Sequence, residues 1–222
     1  MQTLLPITSI AFDFDGTLID SASIKSQAFG KLFRKYGSDI EKAVINDHLA
    51  SEGVSRFIKF ERWYKELLLL GYSDSIGIDL SRQFNHILAE DILAAPWMPG
   101  ALEFISEWHT KIPLFLISAT PQHELCQLLE SRSAAVFFQS IWGFPTEKHL
   151  ALQMIFTQLH AKPVNVLMVG DAEADHRASL LSGASFCRFI HSPSLWPVDT
   201  NLYPCLSDLS LLPSLYQLSS LN

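Results

Sequence analysis

Two aspartates, Asp13 and Asp15, are the residues with the clearest chemical potential in this sequence. They stand one residue apart in the segment DFDGTLID, directly after an apolar run. On a turn that leaves a strand, both carboxylates can face one crevice, and Gly16 lets the backbone bend sharply. A plain Asp-Gly turn is the structural alternative. A calcium loop of the EF-hand type is excluded, because its spacing requires a Glu where the chain has Ile24.

Three further polar clusters follow later in the chain. Ser118 and Ala119 precede a helix-like stretch, where a hydroxyl and backbone amides can hold a phosphate oxygen, although a helix N-cap is the commoner role of such a serine. Lys148 lies in the loop GFPTEKH, and a solvated surface lysine is its structural alternative. Asp171 and Asp175 belong to the segment GDAEAD; the structural alternative is that Asp171 caps the following helix and that Asp175 is an exposed acid in its first turn, where the helix dipole favours negative charge.

The elements that must position these clusters are the strands of a parallel sheet. Short apolar runs precede the clusters and alternate with helix-like stretches, which is the pattern of an α/β fold. The predicted strands are residues 7–12, 113–117, 164–169 and 185–190, and the predicted helices between the last three are 121–131, 147–160 and 173–182. Open parallel sheets bind ligands at the carboxyl ends of their strands. We therefore expect the four clusters to meet in one site.

Residues 20–93 interrupt this alternation with several amphipathic helices. Apolar side chains recur with helical period in three stretches. The first follows Ser21, which is the candidate N-cap of that helix, the second follows Ser55, and the third runs from Leu80 to Leu88. The simplest architecture is a helical insert after the first strand. We therefore predict a core domain of residues 1–19 and 95–222 and a small helical domain of residues 20–94. The Leu- and Ser-rich tail after Pro204 resembles a surface helix or arm.

The composition limits the class of protein and its partners. The chain has 222 residues, 48% of them hydrophobic, with 16 basic and 23 acidic residues and a net charge of -7. Nucleic-acid binding is disfavoured because it needs clustered cations, and no apolar run reaches the ~18 to 20 residues of a membrane span. The three cysteines form no CxxC pair. No basic residue precedes Lys25, so no signal peptide is indicated. We expect a cytoplasmic monomer or weak dimer without nucleic-acid or membrane partners.

The order of the polar clusters resembles the haloacid dehalogenase-like (HAD) superfamily of phosphotransferases. The family's motif I, DxDGT, begins at Asp13, its motif II matches Ser118, its motif III matches Lys148, and its motif IV, GDxxxD, ends at Asp175. The resemblance spans residues from about 7 to 190. Within the superfamily, the chain is similar to the phosphoglycolate phosphatase and β-phosphoglucomutase subgroup. It implies a Rossmann-like parallel-sheet core with a helical cap of the C1 type inserted after the first strand.

The resemblance also implies a chemistry. Asp13 would attack phosphorus to give an aspartyl-phosphate. Asp15 would protonate the leaving group and then deprotonate a water molecule, a role that calls for a raised pKa. Ser118, the amide of Ala119 and Lys148 would hold the phosphoryl oxygens. The next two residues of motif I, Gly16 and Thr17, would also lie against the phosphate.

Magnesium is the cofactor that the resemblance implies. Four clustered acids cannot accept a phosphate dianion without a strong cation among them, and Mg²⁺ prefers carboxylate oxygens, waters and substrate phosphate. By the family pattern its ligands are the side chains of Asp13 and Asp171 and the main-chain carbonyl of Asp15, with Asp175 in the outer shell.

The proposed cap holds candidate substrate residues. The segment EGVSR resembles the cap loop of β-phosphoglucomutase, which implies that Arg56 contacts a distal phosphate or polar group; a solvated Arg56 after a helix-capping Ser55 is the alternative. Lys25 is a second candidate and stands where the mutase usually carries His. The predicted function is magnesium-dependent hydrolysis of a small phosphorylated metabolite, either a sugar phosphate or an organic acid.

Three alternatives to a phosphatase stay open, and a fourth is disfavoured. A phosphomutase uses the same nucleophile and acid. A phosphonatase needs a cap lysine that forms a Schiff base, for which Lys25 and Lys59 are candidates. A catalytically idle HAD-fold binding protein would be expected to lack at least one of the acidic or lysine motif residues, and all are present. A dehalogenase needs neither a metal nor an acid at Asp15, so it is disfavoured.

Overall fold

A computed structural model describes residues 6–191, 196 and 202–219 of the chain. Its strands are β1 (Pro6–Ile7), β2 (Ser9–Phe12), β3 (Leu114–Pro121), β4 (Ser140–Phe144), β5 (Val166–Gly170), β6 (Ser185–Phe189), β7 (Cys205–Leu206) and β8 (Gln217–Leu218). Six of them form one parallel sheet in the order β4-β3-β2-β5-β6-β7, and β1 pairs with β8. The predicted α/β fold with a parallel sheet is confirmed.

Four α-helices lie within residues 20–94, the segment that the sequence predicts to be a helical insert. They are α1 (Ala22–Phe33), α2 (Ser38–Ala50), α3 (Arg56–Arg62) and α4 (Asp74–Ala94), and a π-helical turn, Trp63–Leu67, continues α3. Their shared core is aromatic: the ring of Phe29 stacks on Phe84 at 4.2 Å between centroids and meets Trp63 edge-on at 5.1 Å. Helix α2 was not predicted, because only Val44 and His48 of its side chains are buried.

The remaining helices cover the sheet and bring loops to its carboxyl edge. They are α5 (Ala101–Trp108), α6 (Gln122–Ser131), α7 (Lys148–Leu159), α8 (Glu173–Ser182) and the short α9 (Leu212–Leu215). Because both faces are covered, β2 is buried along its whole length, as is β5, which explains their continuous apolar runs. Strand β4 was missed by the sequence prediction, since most of its residues are only half-buried.

The two connections of the helical insert lie side by side. Ile19 forms an antiparallel bridge with Trp97. The amide of Asp20 donates to the carbonyl of Pro96, and the amide of Met98 donates to the carbonyl of Leu18, both at 2.9 Å. The chain therefore leaves the sheet region and returns to it through one short two-stranded ribbon.

The described part of the tail, residues 202–219, is not the surface arm that its composition suggested. Strand β7 extends the main sheet beside β6, and β8 pairs with β1 near the start of the described chain. Leu209, Leu212 and Tyr216 are buried in the core. The error arose because strands of two residues give no periodic signal. Within the described residues, no helix combines the length and apolarity needed to cross a bilayer.

Candidate active site

The centre of the sheet provides the crevice. Strand β2 has β3 on one side and β5 on the other, so the connection from β2 to β3 and the connection from β5 to β6 run in opposite directions from this point. In an open parallel sheet this switch point is where ligands bind, beyond the carboxyl ends of the strands. Asp13 directly follows β2, and its amide donates to the carbonyl of Val169 in β5 at 2.9 Å. Asp171 directly follows β5, so the two acids emerge from adjacent strands.

A tight turn after Asp13 packs against Asp171. Gly16 has a φ of +79°, and a Cβ at this position would collide with the Asp171 carboxylate and lie 2.8 Å from Nε2 of His191. Thr17 donates its hydroxyl to Oδ1 of Asp171 at 3.1 Å. Only glycine adopts this backbone conformation and fits this close approach without strain. The chain therefore forms the Asp-Gly turn, and this turn also lines the crevice.

Lys148, at the first position of α7, bridges two acids. Its Nζ lies 2.9 Å from Oδ1 of Asp13 and 2.5 Å from Oδ1 of Asp175. The other oxygen of Asp175 accepts the amide of Ala172 at 3.1 Å. The alternatives of a solvated lysine and an exposed Asp175 are both wrong, since the Lys148 side chain is only 9% exposed and that of Asp175 is fully buried.

Burial and crowding of like charges control the protonation of these acids. Burial raises the pKa of Asp13 well above its usual range; Lys148 opposes the shift, while the neighbouring Asp175 and Asp171 add to it. Burial alone would lower the pKa of Lys148, but its ion pairs with Asp13 and Asp175 reverse the direction and raise it. One ammonium therefore stands among three buried carboxylates, and the cluster has a deficit of positive charge.

A divalent cation would offset that deficit. Carboxylate oxygens of Asp13, Asp171 and Asp175 all lie within 4.8 Å of one another, and all three residues are buried. Hard cations such as Mg²⁺ take oxygen ligands of this kind. The donor set of the described residues therefore fits the magnesium that the sequence resemblance implies.

Asp15 faces a different set of partners from Asp13. Its Oδ1 accepts the hydroxyl of Ser21 at 2.7 Å, while its Oδ2 lies 2.5 Å from Nζ of Lys25 and accepts the hydroxyl of Thr120 at 2.9 Å. Burial raises the pKa of this carboxyl, but the charge and hydrogen bond of Lys25 and the hydroxyls outweigh it and lower the pKa to about 2. This direction is opposite to the raised pKa expected for an acid, and Lys25 is the reason.

Ser118 lies inside β3 and does not cap a helix. Its Oγ accepts the amide of Thr120 at 3.0 Å and lies 3.5 Å from Oδ2 of Asp15, whereas α6 begins only at Gln122. The N-cap alternative for Ser118 is therefore wrong. The residue is buried beside Asp15, and its neighbour Ala119 lines the same cavity as Asp13.

A small cavity of about 60 Å³ joins the crevice to the helical insert. Acids of the strand ends form one side, and insert residues Lys25, His48, Arg56 and Lys59 form the other. The insert therefore supplies all the basic side chains among the residues that line this cavity.

Arg56 lies in the cavity wall, and its guanidinium is fully engaged. It pairs with Glu124 at 2.8 Å, donates to Oδ1 of Asn85 at 2.5 Å and to Ser81 at 3.3 Å, and lies 4.7 Å from the centre of the Phe84 ring. The alternative of a solvated arginine is wrong, because only 5% of the side chain is exposed. These contacts tie α3 to α4 and to α6.

Sequence reasoning missed four residues that contact the site. Ser21 and Thr120 hold Asp15, Nε2 of His191 lies 2.8 Å from Oδ2 of Asp171, and Glu52 lies close to Asp171 and His191. Burial, followed by the charge of Asp171, raises the pKa of Glu52 to about 7. Only Glu52 and Thr120 had a usable signal, since both stand inside segments that the motifs had already marked.

Comparisons with known proteins agree with this geometry. The sequence profile of the family described as haloacid dehalogenase-like hydrolase matches residues 7–180. The pyrophosphatase PpaX of Oceanobacillus iheyensis is 25% identical over 178 residues, which are 77% of this chain and 78% of that protein. The phosphoglycolate phosphatase of Photobacterium profundum is 24% identical over 194 residues, which are 79% and 80% of the two chains.

A solved structure shows the same fold. The HAD-hydrolase YfnB of Bacillus subtilis, solved bound to magnesium, superposes with a TM-score of 0.67 at 19% identity, covering 94% of this chain and 98% of that one. The family resemblance drawn from the four motifs is confirmed, and the chain belongs to the haloacid dehalogenase-like hydrolase family.

Proposed function

We propose that the protein is a magnesium-dependent phosphatase that hydrolyses a small phosphomonoester through an aspartyl-phosphate on Asp13. The observation that carries the proposal is the position of Lys148 between Asp13 and Asp175, next to the buried Asp171. A nucleophile, a fixed cation and a set of carboxylate oxygens that can hold a divalent cation are the parts that phosphoryl transfer needs. The substrate class is a sugar phosphate or a phosphorylated organic acid, and the name of the phosphoglycolate phosphatase relative supports the second of these.

In the first half-reaction, a carboxylate oxygen of Asp13 forms the new bond to phosphorus while the bond to the leaving oxygen breaks. Lys148 offsets the negative charge of the phosphoryl oxygens, and the hydroxyl of Ser118 donates a hydrogen bond to one of them. Asp15 gives a proton to the leaving oxygen. Because Lys25 holds the Asp15 carboxyl ionised in this structure, the Lys25 contact has to open before Asp15 can carry that proton.

In the second half-reaction, a water molecule attacks the phosphorus of the aspartyl-phosphate, and phosphate and the free Asp13 carboxylate are released. The ionised form of Asp15, held by Ser21 and Thr120, is the form that can accept the proton of this water. The Lys25 contact therefore suits the second half-reaction better than the first.

Asp13 and Asp171 would hold the magnesium ion together with the carbonyl of Asp15, and Asp175 would remain in the outer shell with Lys148. When bound, the ion would offset the negative charge of the carboxylates and of the transferring phosphoryl group. Thr17 and His191 orient the two oxygens of Asp171. Such contacts fix the direction of metal ligands.

The proposal is tested by phosphate release from a panel of phosphomonoesters with magnesium and with chelator. We expect release that depends on magnesium and that falls about a thousandfold or more in Asp13→Asn. After acid quench of a reaction with labelled substrate, the label should be bound to the peptide that contains Asp13. Magnesium-independent turnover, or activity of Asp13→Asn within tenfold of wild type, would show that the mechanism is wrong.

We also propose that residues 20–94 act as a cap over a core of residues 1–19 and 95–222. The support is that the insert closes the cavity above the acids and returns through a single ribbon. A cytoplasmic location and a monomeric or weakly dimeric state stay predictions, the second of which light scattering on a sizing column would test.

A further inference from the structure

We propose that Lys59 binds a second anionic group of the substrate, remote from the transferred phosphoryl group, and that this group is a carboxylate on a short carbon chain. The inference deepens the proposed phosphatase function and rests on it. It replaces Arg56, the residue that the sequence had indicated for a distal group.

Lys59 is a buried lysine in the wall of the cavity. It lies on α3, one turn after Arg56, and is 1% exposed. Its Nζ contacts Nδ1 of His48 at 2.7 Å and lies 5.8 Å from the centre of the Phe29 ring. A buried ammonium normally has a carboxylate partner, because taking an unpaired charge out of water is costly.

The other basic side chains near the acids already have such partners. Lys25 is paired with Asp15, Lys148 with two aspartates, and Arg56 with Glu124. Among the described residues, no carboxylate forms an ion pair with Lys59. The lysine is therefore the one cation of this cavity wall whose charge is left for a ligand.

Asp47 and Glu52 are the two carboxylates whose charges act on Lys59, and neither forms an ion pair with it. Asp47 is paired with Arg62. Glu52 lines the same cavity but lies beside Asp171. Burial lowers the pKa of Lys59 more than these two charges raise it, and the pKa of Lys59 falls to about 7.

His48 fixes the position of the ammonium. Burial, and then the charge of Lys59, keep the pKa of the imidazole well below its usual value, so the ring is neutral. Nδ1 then accepts a hydrogen bond from Lys59, and the remaining proton is on Nε2, which has no hydrogen-bond partner. An ammonium group has three N–H donors, so one hydrogen bond to His48 leaves two donors that can bind an oxyanion.

The size of the cavity limits the substrate. Its volume of about 60 Å³ holds roughly four water molecules. Asp13 and Lys59 both line this small space, so a short chain is enough to join a phosphoryl group on Asp13 to an anion on Lys59. A planar carboxylate needs less room than a second phosphate group, which favours a phosphorylated short-chain acid.

Two ligands with the same skeleton test the proposal. 2-Phosphoglycolate carries a carboxylate where ethyl phosphate carries a methyl group. The Asp13→Asn variant is used because we expect it to turn over neither ligand. Calorimetry with magnesium present should give a Kd for 2-phosphoglycolate that is roughly 10- to 100-fold lower than for ethyl phosphate, as expected for one hydrogen bond between charged groups. Equal affinities would overturn the proposal without any variant of Lys59.

Lys59→Met then assigns the effect to the lysine. We expect the ratio of kcat/KM for 2-phosphoglycolate over ethyl phosphate to fall at least tenfold, mainly through KM for 2-phosphoglycolate. Lys65→Met is the matched control, because Lys65 is exposed and pairs only with Glu61 on the same helical stretch, so the ratio should stay at the wild-type value. An equal loss for both substrates in Lys59→Met would contradict a distal role.

Three outcomes distinguish a failure of this inference from a failure of the proposed function. If wild type hydrolyses neither ligand but binding still discriminates between them, the phosphatase proposal fails and the second-anion site stands. If phosphonoacetaldehyde and borohydride modify Lys59 covalently, the lysine is a Schiff-base residue and the second-anion proposal is wrong. If turnover depends on magnesium but does not discriminate between 2-phosphoglycolate and ethyl phosphate, the phosphatase proposal stands and the second-anion proposal is wrong.

Discussion

Replacing Lys59 by methionine is expected to stabilise the ligand-free protein. Methionine fills a similar volume and carries no charge, whereas the native lysine is 1% exposed and lacks a carboxylate partner among the described residues. Burial lowers the pKa of Lys59 from its ordinary value of 10.5 to about 7. That difference corresponds to a destabilisation of the native protein by about 5 kcal/mol when Lys59 is fully charged, of which about 4 kcal/mol remains at pH 7.

The variant also loses a contact. The hydrogen bond between Lys59 and Nδ1 of His48 is worth about 1 kcal/mol. The expected net gain in the free energy of unfolding of Lys59→Met is therefore about 3 kcal/mol at pH 7. Urea unfolding of wild type, Lys59→Met and the surface control Lys65→Met measures it.

The pH dependence has a definite sign. Below pH 7, Lys59 is protonated in both the native and the unfolded protein, and the full cost of burying its charge lowers the stability of wild type. Between about pH 7 and pH 10.5 the unfolded chain binds a proton that the native protein lacks, so the stability of wild type rises with pH relative to the variant. The rise amounts to about 2 kcal/mol from pH 7 to pH 9, and the advantage of Lys59→Met should shrink to about 1 kcal/mol.

The comparison of variant with wild type isolates this lysine from its charged neighbours. Asp47 and Glu52 raise the pKa of Lys59, and Lys25 and Arg62 lower it, but all four are present in both proteins. A destabilised Lys59→Met at pH 7 would refute the reasoning. A gain in stability that stays constant from pH 7 to pH 9 would also refute it, since the ammonium would then titrate normally.

Three further substitutions test other parts of the structure. Phe29→Ala removes the centre of the aromatic core of the insert and should cost about 3 to 5 kcal/mol in urea unfolding; a cost below 1 kcal/mol would contradict this packing. Gly16→Ala places a Cβ against the Asp171 carboxylate at a positive φ, and the magnesium Kd measured by calorimetry should rise by about tenfold or more; an unchanged Kd would exclude Asp171 as a ligand. Arg56→Met leaves Glu124 unpaired and should cost about 2 kcal/mol, which a second change, Glu124→Gln, should partly restore if the pair is structural.

The strand-end residues could be predicted from the sequence because short-range patterns determine them. Asp13, Lys148, Asp171 and Asp175 each follow a strand or begin a helix, and parallel topology brings those ends together. Their mutual contacts were implied once the order of strands was known. The family motifs added chemical roles, which geometry alone does not assign.

The remaining contacts depend on tertiary packing that leaves no local pattern. Ser21 was interpreted as a helix cap, but its hydroxyl bonds to Asp15 and makes no cap hydrogen bond. Thr120 and His191 reach their partners across 105 and 20 residues of chain. Arg56 was predicted to contact a distal group of the substrate, but its guanidinium is bound to Glu124 and Asn85. Such pairings follow from how helices stack, which periodicity does not encode.

The two-stranded ribbon at the base of the helical insert holds both crossings between residues 20–94 and the rest of the described chain. Hinge motions are absorbed by a few residues at such a connection. Asp13 and Lys148 lie on the sheet side of the ribbon, whereas Lys25 lies beyond it on α1. A rotation of the insert about the ribbon would therefore change the distance from Lys25 to Asp15 and keep the contact between Asp13 and Lys148. Asp15, unlike Asp13, is thus paired with a cation that would move with the insert.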